Sequence, residues 1–234
     1  MKTTHILSID FDYFQQTDEE TAKSNYPDGH DLNPELSAIC WSDHYRNERY
    51  PIRDITVNQK EIDALKSLLL NQRDVKECMI ALSHVSIYNF ITSKAESEKL
   101  LHITNIDMHH DMFNNNKTLD CGNWLSHISK QYKLALEWVV NPISESCYGL
   151  DERFSNILFH TIKDLKNQQY QYIFLCRSDM WTPPHLDRNF DELKQFFIEN
   201  LACPIQVQQG FDVDRQQIIT EIKNPIDNLL KEDL

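Results

Sequence analysis

Short apolar runs rich in β-branched and aromatic residues recur along the chain, and several are separated by segments with helical periodicity. Each run has the length and composition of a buried strand. The predicted strands are His5–Ile9, Met79–Leu82, Ile103–Ile106, Leu134–Val140, Tyr172–Cys176 and Ile205–Val207. The predicted helices are Glu61–Leu70, Phe154–Leu165 and Phe190–Leu201. Strands that alternate with helices predict an α/β fold whose mainly parallel central sheet is covered by helices on both faces.

The length of the chain suits a single hydrophobic core. It has 234 residues, of which 41% are hydrophobic, so a single domain over residues 1–234 is predicted. The polar stretch Gln15–Tyr50 shows no sustained period and is interpreted as a long loop with a short helix, a kind of segment that is often functional. Only four glycines occur, which excludes the GxGxxG and P-loop motifs of nucleotide binding.

The chain is strongly acidic, with a formal net charge of -13 at pH 7. Phosphate binding requires clustered lysine and arginine side chains, and since they do not cluster here, no nucleic-acid partner is expected. The N-terminal residues lack the features of a signal peptide, and no apolar run has the length of a membrane span. We therefore expect no membrane partner and a cytoplasmic location. The six cysteines are scattered without a CxxC pair and are expected to be buried free thiols.

Potential metal ligands cluster where three of the predicted strands end. In open α/β sheets, ligands bind beyond the carboxyl ends of the strands, so polar residues at these positions are the first candidates for a site. The candidates are Asp10, Asp12, His84, Asp107, His109 and Asp111. Because side chains alternate along a strand, Asp107, His109 and Asp111 are predicted to point to one face and His110 to the other.

The chemistry of these six side chains favours a metal centre. A lone Asp-x-Asp is more often a cap or a loop hydrogen-bonding group, and it is the conjunction of three strand ends that favours metal. Four carboxylates held close together would repel one another and raise their own pKa values unless cations neutralised them. Carboxylates and imidazoles without thiolate suit Mn²⁺ or Fe²⁺, with Zn²⁺ as an alternative.

The segments Asp-x-His-x-Asp (residues 107–111) and Ser-x-Asp-x-Asp (residues 8–12), together with the strand-end His84, resemble the ureohydrolase superfamily of arginases and agmatinases. The resemblance implies a three-layer arginase/deacetylase-like fold and two Mn²⁺ ions per chain, which activate water for attack on a guanidinium carbon and release of urea. The resemblance also implies how the ligands are divided between the two metal ions. One metal would take His84, Asp107 and Asp111, the other His109 and Asp12, and Asp107 and Asp10 would touch both.

The order of these segments departs from that of ordinary arginases, in which Ser-x-Asp-x-Asp follows Asp-x-His-x-Asp. Here it opens the chain, so a permuted strand order is expected, and the histidine segment lacks the family's Gly-Gly-Asp lead-in. The segments IDFDYF (9–14), CGNWL (121–125) and SDMWTPP (178–184) are most similar to a divergent branch that includes the peptide arginases. Those enzymes convert arginine residues of ribosomally made precursor peptides to ornithine. The resemblance therefore implies an arginine-containing precursor peptide as the partner.

The residue two positions beyond the Asp-x-His-x-Asp segment indicates whether the substrate is a peptide or a free amino acid. In ordinary arginases an asparagine at this position helps to bind the free α-carboxylate and α-amino groups. Here it is Phe113, whose ring cannot replace the hydrogen bonds that those charged groups would lose. An internal arginine carries neither charge, so a peptide substrate is predicted. A small register shift would let Asn114, Asn115 or Asn116 restore a polar contact.

Two further residues are predicted to act on the substrate. His127 is a candidate proton shuttle to the departing amine, with an ordinary helix histidine as the alternative. Asp179 is a candidate partner of the substrate guanidinium, with a cap before the Trp181–Pro184 loop as the alternative.

Other functions stay open at this point. One is a small-molecule ureohydrolase of the arginase or agmatinase kind. Another is a deacetylase-like amidohydrolase with a single zinc, although the presence of both His84 and Asp12 favours two metals. A third is a binding module that keeps its metal for structure, which would require a closed coordination shell. The sequence does not predict the oligomeric state.

Overall fold

A seven-stranded parallel sheet forms the centre of the fold. The computed structural model describes residues 3–24, 31–46, 51–95, 100–113, 118–144, 157–165 and 167–222. The strands of the sheet are β1 (Thr3–Asp10), β4 (Glu77–Ala81), β5 (Leu100–Asp107), β6 (Lys133–Val140), β7 (Leu158–Phe159), β8 (Tyr172–Cys176) and β9 (Ile205–Val207). Their order is β7-β6-β5-β1-β8-β4-β9, and within the described residues each pairs with its neighbours in parallel. The carboxyl ends of all these strands therefore meet at one edge.

Helices cover both faces of the sheet. They are α1 (Glu19–Ser24), α2 (Pro34–Arg46), α3 (Gln59–Leu70), α4 (Ser86–Lys94), α5 (Trp124–Ser129) and α6 (Asp187–Asn200), followed by the helical residues 215–222. Buried side chains of α2, α3 and α6 pack on one face. Those of α4 and α5 pack on the other. The α/β prediction, with a mainly parallel sheet between helical layers, is confirmed.

Alternation along the strands divides the core into two layers. In β1, Leu7 and Ile9 belong to the α3 and α6 face, whereas Ile6 belongs to the α4 and α5 face. In β5, Ile103 belongs to the α4 and α5 face. Since strand side chains repeat every two residues, the last residues of β1 and β5 project toward α4 and α5. These last residues are the candidate ligands Asp10 and Asp107.

The interpretation of Gln15–Tyr50 as mainly a loop was wrong. Gln15–Gln16 form strand β2, which pairs antiparallel with β3 (Thr56–Val57), and α1 and α2 occupy much of the remainder. Helix α2 begins where Asn33 accepts a hydrogen bond from the Leu36 amide at 2.9 Å, and Pro34 at its first position is typical of a helix start. Its buried side is mostly small or polar and gives little hydrophobic periodicity, which is why the pattern was missed.

The predicted helix Phe154–Leu165 was also wrong where it can be compared. Residues 154–156 lie outside the described part of the chain, Leu158–Phe159 form β7, and Ile162–Leu165 form a 3₁₀ turn. Apolar residues at helical spacing here belong to a short edge strand, whose Leu158 and Phe159 are partly buried, and to a turn that buries Ile162 and Leu165. The predicted strands Tyr172–Cys176 and Ile205–Val207 match β8 and β9.

Neither a membrane-spanning helix nor a disulfide occurs in the described part of the chain. Its helices are all too short or too polar to cross a bilayer. The thiols of Cys78 and Cys176 are buried and free, as expected. Those of Cys40, Cys121 and Cys203 are free but only partly buried, and Cys147 lies outside the described residues.

Candidate metal centre

The six predicted ligands come together at the carboxyl edge of the sheet. Asp10 and Asp107 are the last residues of the adjacent strands β1 and β5. Asp12 lies in the 3₁₀ turn Phe11–Phe14 that follows β1, and His84 lies between β4 and α4. His109 and Asp111 follow β5. His109 is the most exposed of the six, at 8%, and the others are almost completely buried.

His84 lies at the centre of the first group of ligands. Its Nδ1 is 3.0 Å from Asp111 Oδ2, 3.1 Å from Asp10 Oδ2 and 3.2 Å from Asp107 Oδ2. On the opposite side of the ring, Nε2 is 2.7 Å from Ser8 Oγ. The ring also stacks on Phe174 with an interplanar angle of 8°. His84 is therefore held in one orientation, with one nitrogen facing three carboxylates.

His109 forms the second group with Asp12 and Asp107. Its Nδ1 is 2.8 Å from Asp12 Oδ2 and 3.5 Å from Asp107 Oδ1. The ring packs against Trp181 at a centroid distance of 4.6 Å. Asp107 thus directs one oxygen to His84 and the other to His109, so that a single carboxylate belongs to both groups.

Three sets of side chains in the described residues are close enough to hold a metal ion. In each set, the ligand atoms lie within 4.8 Å of one another. The sets are His84, Asp107 and Asp111; Asp12, Asp107 and His109; and Asp10, His84 and Cys176. All of these residues are buried, so this edge of the sheet could hold metal.

Neighbouring polar groups fix the carboxylates. Trp124 Nε1 donates to Asp111 Oδ2 at 2.5 Å, and Ser178 Oγ donates to Asp10 Oδ2 at 2.8 Å. Asn105 Nδ2 donates to Asp107 Oδ2 at 3.1 Å. Hydrogen bonds of this kind orient metal ligands and tune their basicity.

The backbone is strained at two positions around the centre. Asp111 has φ of 50° and Ser178 has φ of 57°, a region that residues with a side chain adopt at a cost. Asp111 is itself a candidate ligand, and Ser178 holds Asp10. Backbone strain of this type concentrates at functional sites, where the surrounding structure enforces it.

Electrostatic crowding shifts the protonation of the centre. Burial, reinforced by the charge of Asp10, raises the pKa of Asp12 to about 7. Burial together with Asp107 raises the pKa of Asp111 well above its usual range. Burial acts in the same direction on Asp107, but the hydrogen bonds from His109 and His84 outweigh it, and the Asp107 pKa is lowered. Burial opposes the charged form of His84, yet the surrounding carboxylates raise its pKa well above 6.5.

The Asp12 shift predicts a pH dependence of stability in metal-free protein. A carboxyl whose pKa is raised on folding contributes stability below its unfolded value, and this contribution is lost as the pH rises through the folded value. With a chelator present, the free energy of unfolding of the wild type, relative to that of Asp12→Asn, should therefore decrease as the pH rises from about 4 to about 7. Urea unfolding at several pH values measures this difference. A difference in unfolding free energy that stays constant over this pH range would contradict the raised pKa of Asp12.

Strand alternation, from which the convergence of the six candidate ligands was predicted, accounts for only some of them. Strand alternation applies to Asp10 and Asp107, but β5 ends at Asp107 and β1 at Asp10. Asp12 reaches the centre through a 3₁₀ turn, and Asp111 through a residue with positive φ. His110 turns away, accepting a hydrogen bond from the Met112 amide and packing against Phe113 at 4.2 Å.

The carboxylate of Asp179, the candidate partner of the substrate guanidinium, is paired within the protein. Its two oxygens accept from Arg177 Nε at 2.5 Å and Nη2 at 3.0 Å, and the residue is 2% exposed. A guanidinium of the protein's own chain already occupies it. Asp179 thus has a partner within the protein, and its contact with a substrate guanidinium stays a prediction.

His127 lies on α5, one helical turn after Trp124. Its ring contacts Tyr88 of α4 edge-on, with centroids 6.3 Å apart, and its Nε2 is buried without a hydrogen-bond partner among the described residues. None of the six candidate ligands takes part in that ring contact. The role of His127 as a proton shuttle stays a prediction.

Sequence reasoning missed two side chains beside the centre, Asp31 and Cys176. The Asp31 carboxylate accepts a hydrogen bond from Ser83 Oγ, and burial raises its pKa, with a further contribution from Asp10. Asp31 has no motif around it, and its position depends on the fold. Cys176 has a signal in the sequence, since it is the last residue of a predicted strand, and Asp10 and Asp107 directly follow predicted strands.

Comparison with protein-family models, curated proteins and solved structures finds no match for this chain.

Proposed function

We propose that this chain is a metal-dependent hydrolase of the ureohydrolase type. It acts on arginine residues within a peptide and produces ornithine and urea, with two Mn²⁺ ions per chain. The position of Asp107 is the observation that supports this most. Its two oxygens face two separate imidazoles, at 3.2 and 3.5 Å, within two ligand sets that share only this carboxylate. A carboxylate in that position can contact two ions at once.

The side chains fit such a pair of cations. The two sets offer carboxylate oxygen and imidazole nitrogen, which suit Mn²⁺ and related ions. One ion would be held by His84, Asp107 and Asp111, and the other by Asp12, Asp107 and His109, with Asp10 beside His84. Cations here would neutralise carboxylates whose burial disfavours their charge. When bound, the metal pair would supply Lewis-acid activation of a water molecule at neutral pH.

Asp31 is the carboxylate that we assign to the substrate cation. It lies outside the six-residue set, yet it is close enough to Asp10 and His84 for their charges to shift its pKa. Ser83, the neighbour of His84 in the chain, donates to Asp31 Oδ2 and orients it. A guanidinium pairs with a carboxylate through two parallel hydrogen bonds. Asp31 thereby takes the role that Asp179, already paired with Arg177, does not fill.

The surroundings of Phe113 favour a peptide over free arginine. The ring is 40% exposed and packs over Gly122, where an added Cβ would lie 3.3 Å from it. An exposed aromatic surface can pack against the residues that flank an internal arginine. It offers no hydrogen-bond partner for free α-amino and α-carboxylate groups. Asn114, Asn115 and Asn116 lie outside the described residues.

Metal analysis and urea release together test the proposal. Protein purified with Mn²⁺ should contain two Mn per chain and release urea from a peptide with an internal arginine. Free arginine and agmatine, at equal concentration, should be turned over more slowly. Two bound metals without urea from any of the three substrates would contradict the ureohydrolase assignment. One bound zinc and release of acetate from an acetyl-lysine peptide would support the deacetylase-like alternative instead.

The role of Asp31 predicts a specific kinetic defect. Asp31→Asn removes the charge but keeps the shape, so both metals should remain bound. A hydrogen bond to a charged group contributes about 1.5–3 kcal/mol, so kcat/KM for the peptide should fall roughly 10- to 100-fold. Asp43→Asn, at an exposed residue paired with Arg46, is the matched control and should leave kcat/KM unchanged. Loss of metal from Asp31→Asn would place Asp31 among the ligands, and an unchanged kcat/KM would remove it from the substrate site.

A further inference from the structure

Cys176 shares the carboxyl edge of the sheet with the candidate ligands. It is the last residue of β8, and its direct partner on β1 is Asp10, while its partner on β4 is Ala81. Its side chain belongs to the α4 and α5 layer, as do those of Ile6 and Phe174. A buried thiol therefore lies beside Asp10, on the same face of the sheet.

The thiol is also within reach of His84. The Cys176 sulfur, a carboxylate oxygen of Asp10 and a ring nitrogen of His84 all lie within 4.8 Å of one another. Oxygen, nitrogen and sulfur donors in one buried set are the ligands of zinc and similar ions. Thiolate selects against Mn²⁺, which prefers oxygen donors. The centre thus contains a ligand set whose metal preference differs from that of the other two.

We propose that Asp10, His84 and Cys176 form a third cation position, selective for thiophilic divalent ions such as Zn²⁺, Co²⁺ or Cd²⁺. His84 also belongs to the set with Asp107 and Asp111, so an ion at the third position withdraws it from the Mn²⁺ pair. The two modes of occupation exclude each other. A thiophilic ion enters as the Cys176 thiol releases its proton to solvent, and no oxidant or reductant takes part. The inference rests on the proposed metal centre and is independent of the arginine substrate.

Cobalt spectroscopy tests this position directly. Titration of metal-free wild-type protein with Co²⁺ should produce a sulfur-to-cobalt charge-transfer absorption in the near ultraviolet. Cys176→Ser should lack this absorption and bind Zn²⁺ more than about tenfold more weakly, because loss of a direct ligand exceeds the effect of losing a ligand's hydrogen-bond partner. The same variant should still bind two Mn²⁺. In the wild type, bound Zn²⁺ should reduce the Mn²⁺ content.

Two other cysteines provide matched controls. Cys78 is equally buried but faces the opposite layer of the core, and Cys121 is the other thiol near the centre, where it interacts with Asp31 and Asp111. Cys78→Ser and Cys121→Ser should both retain the charge-transfer band. Absence of the band in the wild type, its persistence in Cys176→Ser or its loss in Cys121→Ser would each overturn the proposal.

The third cation position can also be tested without a variant, in case Cys176→Ser does not fold. Cadmium NMR of the wild-type protein reports thiolate coordination through its chemical shift without any substitution. A shift without sulfur character would contradict the third position. If Mn²⁺-loaded wild type releases no urea while the cobalt band is present, the substrate proposal fails and the third cation position stands.

Discussion

Asp107→Ala is expected to remove both metal ions and abolish turnover. Asp107 is the only carboxylate common to the sets around His84 and His109 within the described residues, so its loss leaves each set one ligand short. Metal ions contribute several kcal/mol of transition-state stabilisation, so kcat should fall by at least about a thousandfold. Metal content by mass spectrometry and urea release measure the two effects separately.

Asp107→Asn and His110→Ala are the controls for this experiment. The amide keeps the shape of the side chain and can still bond to its neighbours, but it lacks the charge that two cations require. It should therefore lose metal as the alanine variant does. His110 turns away from the centre, toward Phe113, so His110→Ala should retain both metals and most of the activity. Normal metal content with near-normal turnover in either Asp107 variant would contradict the two-metal assignment.

Asp179→Asn is expected to lower the free energy of unfolding by about 3–5 kcal/mol, the usual effect of removing one partner of a buried ion pair. The Asp179 and Arg177 side chains are 2% and 1% exposed and are joined by two hydrogen bonds. The amide leaves the Arg177 charge without its main partner. Urea unfolding of the metal-free protein measures the change.

The control for Asp179 is an ion pair of the same kind at the surface. Arg188 and Glu192 pair across one turn of α6, with side chains 87% and 62% exposed. Exposed pairs contribute little, so Glu192→Gln should change the free energy of unfolding by less than about 0.5 kcal/mol. If Asp179→Asn unfolds like the wild type and keeps its metals but loses urea release, the predicted contact of Asp179 with the substrate would be supported instead.

Six of the seven strands of the sheet and the helices α3 and α6 could be predicted from the sequence, whereas α4 and α5 were not among the predicted helices. Runs such as Tyr172–Cys176 and Ile205–Val207 are buried and apolar, and periodicity identifies them. Helix α2 was missed because its buried side is built mainly from small and polar side chains around Trp41. The helix predicted over Phe154–Leu165 was wrong because short apolar segments do not distinguish a strand and a turn from a helix.

The candidate ligands could be predicted because three strand ends carried carboxylates and imidazoles, and parallel strands bring their carboxyl ends to one edge. For Asp179, the sequence did not predict the ion pair that the structure shows. A position after a strand does not reveal whether a carboxylate is already paired, and the structure shows that Asp179 is paired with Arg177, two residues earlier in the chain.

The sequence by itself determined the fold class and the six candidate ligands, because both depend on local patterns of burial and on residue type. The tertiary structure alone decided which of these groups lie close enough together to share an ion. Asp107 lies between His84 and His109, which are 25 residues apart in the chain, and Asp31 and Cys176 join the site from segments with no common motif. Those distances depend on strand order and register, and on two residues held at positive φ by their surroundings. Long-range contacts of this kind leave no periodic signal in a single sequence.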